Sequence, residues 1–169
     1  MSNSYPPEPQ SASRTRWVLT LIWLAMTVSA TGFVWYHGRN APWADEWEMV
    51  PGLVGEEPLL PWLWKQHNEH RLPIPRLLFW LCFQATHDFR TGMFAQVLIL
   101  SISAKILMQA AARIRGQVHL ADAFFPVGLL HWGHVENLVM GYQVCFALTT
   151  GLALGMIAIA ATTTRSSLR

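Results

Sequence analysis

The chain has 169 residues, 52% of them apolar and 13% charged, about half the charged share of an ordinary soluble domain. That composition argues against a conventional soluble enzyme, and a net charge of +2 leaves no basic surface large enough for a nucleic-acid backbone. Nine Trp, eight Phe and three Tyr supply the rings that collect where bilayer meets water, so the sequence reads as an all-α polytopic membrane protein whose first partner is the lipid bilayer.

Residues 1–13, MSNSYPPEPQSAS, are rich in Pro and Ser and read as a disordered cytoplasmic tail. Residues 17–36, WVLTLIWLAMTVSATGFVWY, carry no charge over twenty positions, about 30 Å of helix and the depth of a hydrocarbon core. Arg14 and Arg16 precede this run and an acid-rich stretch follows it. The positive-inside tendency therefore sets the N-terminus in the cytoplasm and the loop after Tyr36 outside. Val28-Ser29-Ala30 resembles a signal-peptide cleavage site, which the apolar residues continuing to Tyr36 oppose; either way the next loop lands outside.

A second, shorter apolar stretch covers 73–89, with Arg76 near one end and His87-Asp88 at the other. By length alone it fits a re-entrant helix as well as a span. Residues 93–112 give another twenty positions interrupted by Lys105, which could snorkel. The two read as a hairpin turning at 88–92. A last run, 144–161, is followed by Arg165 and Arg169. The expectation is about four transmembrane helices with both termini inside, and two outward-facing helical segments, 37–72 and 113–142. This arrangement leaves Arg113 and Arg115 outside, against the positive-inside tendency. Cys82 and Cys145 both lie in apolar runs and suggest neither a disulfide nor a thiolate metal site.

Six of the ten acidic residues fall between Asp45 and Glu69, which makes the first outer segment the most informative part of the chain. Glu56 and Glu57 read as a solvated face. Asp45-Glu46 sits between Trp43 and Trp47, where partial burial would raise a carboxyl pKa and suit it to taking a proton from a hydroxyl. The tryptophans read as an interfacial belt or as a sugar-stacking platform, the belt being the commoner use. His67-Asn68-Glu69-His70-Arg71 follows, and on a helix positions 67, 70 and 71 would share a face. Two imidazoles and a guanidinium, with Arg76 beyond them, would then converge on one anionic group. The alternative is a polar helix start with snorkelling arginines.

The second outer segment contains His131, His134, Glu136 and Asn137, with Gln143 opening the last span. Polar groups interleaved with Leu, Val, Trp and Met this close to a span are costly unless they pair or line a cavity. Two His-x-x-His pairs also leave a divalent cation open as cofactor, with Glu136 as ligand. Hydrogen-bonded structural histidines are the competing account, and no metal ligand is assigned.

In sum, a first span is followed by an outer segment opening on Asp45-Glu46, then HNEHRLPIPRLL, a hairpin, and HWGHVENLVMGYQ. Over residues 15–160 this order resembles the N-terminal portion of bacterial polytopic glycosyltransferases of the GT-C superfamily and their membrane-protein relatives. The resemblance implies the inner membrane, a polyprenyl-phosphate-linked sugar as donor and an extracytoplasmic acceptor. It makes Asp45 the base that activates the acceptor hydroxyl, with Glu46 as partner or substitute. His67, His70, Arg71 and Arg76 would hold the departing lipid phosphate, with Asn68 and Glu69 beside them and His134 with Glu136 assisting. Attack opposite that phosphate inverts the anomeric centre and needs one base. Members of the superfamily are several hundred residues long, so the resemblance also implies a fragment that is incomplete as an enzyme. The rival expectation is a non-catalytic membrane subunit whose polar residues order its loops.

Overall fold

The computed structural model describes residues 9–167, which are almost entirely helical. The elements in order are α1 (Pro9–His37), a tight turn at Ala44–Glu48, α2 (Val50–Leu53), α3 (Leu59–Trp64), the two-residue strands β1 (Gln66–His67) and β2 (His70–Arg71), and α4 (Pro73–Thr86). They continue with α5 (Arg90–Arg115), a turn at Leu120–Ala123, α6 (Phe124–Leu130), a turn at Trp132–His134, α7 (Val135–Leu138), a turn at Gly141–Gln143 and α8 (Val144–Ser167). Residues 9–13 of the expected disordered tail are thus the start of α1, while residues 1–8 and 168–169, Arg169 among them, lie outside the described residues.

Among the described residues three helices are long and apolar enough to cross a membrane: Ala12–His37, Arg90–Arg115 and Gly141–Thr163. They contain the expected spans 17–36, 93–112 and 144–161. The chain is a helical membrane protein with three such helices rather than four, because the stretch 73–89 does not make one. Pro73, whose missing N–H is harmless only in a first turn, starts α4. His87, with a left-handed φ of 52°, stops it. The 14 residues between measure about 21 Å, short of a 30 Å core. The helix instead packs across the first turns of its neighbours, its buried Phe79 lying against Gly92 and Gly141.

Helices α1 and α5 run antiparallel. Gly38 lies beside Met93 and Arg90 at one end, Trp23 Nε1 donates to the Ser101 carbonyl (2.9 Å) in the middle, and Arg16 and Leu19 line a cleft with Met108 and Ala112 at the other. Thr27 and Ser101 share a hydroxyl hydrogen bond of 2.8 Å across the pair. Such polar links and small residues join helices in lipid, where burial of apolar surface gives no drive. Helices α5 and α8 run parallel, since Gly141 meets Gly92 while Gly151 meets Ile99 and Ser103.

Parallel neighbours joined in sequence require the chain to return along their length, and residues 116–143 make that return in short pieces. Asp122 begins it beside Arg115 (2.5 Å) at the C-terminal end of α5. Leu130 is then buried against Ala30, Val34, Met93 and Val97, and Tyr142 ends it beside Glu46. The segment 113–142 therefore does not lie beside 37–72 over its whole length, as the sequence suggested. Arg113 and Arg115 stand at the same end as Arg14 and Arg16, so the charge conflict raised by the sequence disappears. Asp45, Glu46, Glu48, Glu56, Glu57, Glu69 and Asp88 all lie between the C-terminal end of α1 and the start of α5.

With Cys82 and Cys145 changed to Ser, a cysteine at Gly55 and one at Gln117 should react with a membrane-impermeant maleimide from opposite faces of a sealed vesicle. Labelling of both from one face would contradict this return along α5.

Candidate functional site

The site is assembled around Glu46, whose residue is completely buried. Trp43 precedes it in extended conformation, and the turn at Ala44–Glu48 folds its carboxylate back so that Oε2 accepts the Trp43 N–H at 3.0 Å. Oε1 accepts the Tyr142 N–H at 3.1 Å, a contact spanning 96 residues. Gly141 is required there: a Cβ would lie 2.8 Å from the Phe79 ring, 2.9 Å from the Phe89 carbonyl and 3.1 Å from Glu46 Oε1. Burial pushes the Glu46 carboxyl above its ordinary value of 4.5, against the opposing N–H groups of Trp43, Tyr142 and Gly141. Of the two neighbouring acids, Glu46 is thus the structural one. Both its oxygens are committed to backbone, which is a poor arrangement for exchanging protons with a substrate.

Asp45 has the contrasting position. Its side chain is 56% exposed, with Oδ2 3.7 Å from His67 Nε2. His67 is buried (6% exposed), its Nδ1 lies 2.7 Å from Glu48 Oε2, and its ring meets Tyr142 edge-on at 5.1 Å. One imidazole is therefore bracketed by two carboxylates. The expected helix through 67–71 is instead a tight hairpin, with His67 opposite His70 and Gln66 opposite Arg71. The turn is made by Asn68 at φ 48°, a residue type that tolerates the left-handed region. Ala44, directly before Asp45, also has a positive φ of 50°. Two of the three non-glycine residues in this costly conformation among the described residues thus adjoin Asp45 and His67, and such strain gathers at functional sites.

These groups open on a cleft of about 540 Å³. Its polar wall is Asp45, His67, Asn68 and His70; Leu72, Cys145 and Phe146 continue it onto the start of α8. Glu69 and Gln143 also line it. A hydroxyl-bearing head and an apolar tail can be accommodated side by side. The Tyr142 hydroxyl is buried nearby without a hydrogen-bond partner among the described residues.

Arg71 and Arg76 lie away from the cleft lining. Arg76 is 2% exposed and donates from one terminal nitrogen to the carbonyls of Trp62 and Lys65, both at 2.6 Å, with its guanidinium over the Trp62 ring. It closes the C-terminal end of α3 instead of presenting charge to a ligand. Arg71 is exposed and donates to the Trp64 carbonyl at 3.4 Å. The second segment is also divided. His131 Nδ1 accepts the Gly133 N–H at 2.9 Å, and His134 Nε2 lies 3.2 Å from the Gly128 carbonyl, to which it can donate. His134 and Asn137 border a smaller 140 Å³ pocket on the other side of Gln143, and Glu136 is exposed. Among the described residues no group of three His, Cys, Asp or Glu side chains is placed to hold a metal ion.

Sequence reasoning missed Glu48 and Tyr142. Glu48 was visible only as one more acid in the cluster, and Tyr142 only as part of MGYQ. No family model, curated protein or solved structure matches this chain.

The shifted Glu46 carboxyl has a pH consequence. A group whose folded value is raised stabilises through its neutral form below its unfolded value, and that contribution is lost as pH rises through the folded value. Thermal unfolding should therefore show stability falling as pH rises above about 4.5, with Glu46→Gln flattening this slope. Asp88, held below its ordinary 3.8 by Arg90, acts in the opposite sense and only at lower pH. A slope unchanged in Glu46→Gln would assign the effect to another group.

Proposed function

We propose that the chain is a plasma-membrane protein with a cytoplasmic N-terminus whose outer cleft serves glycosyl transfer from a polyprenyl-phosphate-linked sugar, as in the GT-C enzymes its sequence resembles. Orientation is supported by charge: Arg14, Arg16, Arg113 and Arg115 gather at one end of the helices and the acidic segment at the other.

The observation that carries the chemistry is the exposed Asp45 carboxylate facing a cleft that runs from polar side chains onto α8. In this reading the acceptor hydroxyl donates its proton to Asp45 as its oxygen forms a bond to the anomeric carbon. The bond from that carbon to the phosphate oxygen breaks with inversion, and the phosphate leaves with the electron pair. His67, between Asp45 and Glu48, offers the abstracted proton a second resting place. His70 and Asn68 are the donors the cleft provides for the leaving phosphate, in place of Arg71 and Arg76. Glu46 holds the two outer segments together and takes no part in proton transfer.

One observation favours a second reading, a non-catalytic membrane subunit: among the described residues no Lys or Arg side chain lines the cleft, and anion binding normally uses them. The two are separated by reconstituting the chain in vesicles with radiolabelled undecaprenyl-phosphate glucose, mannose or galactose and an alcohol acceptor on the outside, and following transfer of the label from lipid to acceptor. The enzyme reading expects turnover that falls about 100-fold or more in Asp45→Asn, the usual weight of a general base. The melting temperature should barely move, because the side chain is exposed. Equal rates in the unaltered chain and in Asp45→Asn would favour the subunit.

A further inference from the structure

At the opposite end of the helices lies a second cleft, of about 360 Å³, between α1 and α5. Arg16 and Thr20 come to it from α1, and Lys105, Gln109 and Arg113 from α5. The spacing explains the grouping: 105, 109 and 113 are successive i, i+4 positions and share one face of a helix. The antiparallel crossing set by Trp23 on Ser101 brings the first turns of the α1 span opposite that face.

Lys105 is the unusual member. It lies ten residues before the end of α5, about 15 Å along the axis, where an ammonium group in lipid needs a partner. Its Nζ stands 4.7 Å from the Trp23 ring centroid, a contact that steadies a cation and leaves its charge in place. Among the described residues neither Arg16 nor Lys105 has a carboxylate partner. Asp122 does border the cleft, but its Oδ2 is already held by Arg115 (2.5 Å) and by the His119 N–H (3.2 Å). Met108, Leu19 and Ala112 supply an apolar floor. The cleft therefore combines excess positive charge, side-chain hydrogen-bond donors and an apolar wall continuous with the lipid-facing helices.

We propose that this cleft binds the phosphate headgroup of an anionic phospholipid, with Lys105 and Arg16 contacting phosphate oxygens and the acyl chains lying along α1 and α5. Basic pockets between membrane helices recognise such headgroups. The phosphate belongs to a lipid, because phosphate reaching Lys105 this far along the helix is best carried by a molecule whose chains share the bilayer. The inference is independent of the sugar-transfer reading and stands or falls without it.

The test is native mass spectrometry and thermal unfolding of the purified full chain with added phosphatidylglycerol, phosphatidylcholine or inorganic phosphate. Phosphatidylglycerol should be retained about tenfold more than phosphatidylcholine, the scale of one or two basic contacts to an anionic headgroup, and should raise the melting temperature. The double variant Arg16→Gln with Lys105→Met should lose this preference, Lys105→Arg should keep it, and Lys65→Met, at the other end, should leave it intact. Should the double variant not fold, Arg16→Gln alone with an unchanged helical spectrum must still weaken the preference. Equal retention of the two lipids, a preference that survives the cleft substitutions, or equal stabilisation by inorganic phosphate would each overturn the lipid site.

Discussion

The buried Glu46 carboxylate is the contact on which the half of the molecule that carries the acidic segment depends. It accepts the Trp43 N–H from its own turn and the Tyr142 N–H from the start of the last long helix. Among the described residues no other hydrogen bond ties those two regions. Burying a carboxylate is costly unless its oxygens are hydrogen-bonded, and here both are. The arrangement fixes where Asp45 and Tyr142 stand, and therefore gives the cleft its walls. Gly92 and Gly141 let the backbones approach closely enough for Phe79 to pack over the junction. One polar anchor and one aromatic plug thus hold the segment between α1 and α5 onto α8.

The same logic of local pairing explains why other polar residues do not act on ligands. Arg76, His131 and His134 look like binding groups in a sequence because their side chains are chemically able. In the structure each hydrogen-bonds nearby backbone: Arg76 with the end of α3, and the histidines with glycines 128 and 133. Asp45, His67 and His70 remain at an open cleft. The positions with freedom to meet a ligand are those where backbone demand has already been met by something else.

The long helices were legible because their signal is continuous: twenty uncharged positions from Trp17 and a similar run from Met93 have few other solutions. The shortness of α4 was less visible, since apolar length continues to Phe89 and only the prolines and the left-handed His87 mark its ends. The return through 116–143 left almost no trace. Its helices are four to seven residues long, interrupted at His131 and Gly133, and too short for a periodic pattern. Asp45 was legible as a candidate. Its adjacent acid was not separable from it, because which carboxylate is swallowed by the fold depends on Tyr142, 96 residues away. The helical spacing assigned to His67, His70 and Arg71 failed where the Asn68 turn folded them into a hairpin.

The most direct test of this account is amide hydrogen exchange at Tyr142 in the intact chain and in Glu46→Ala. If Glu46 joins the two regions, the Tyr142 amide exchanges slowly in the intact chain. In the variant it exchanges much faster, together with Trp43 and the His67 hairpin, while the α1–α5 contact at Ser101 stays protected. Rapid exchange of Tyr142 in the intact chain, or exchange unaffected by the substitution, would contradict it.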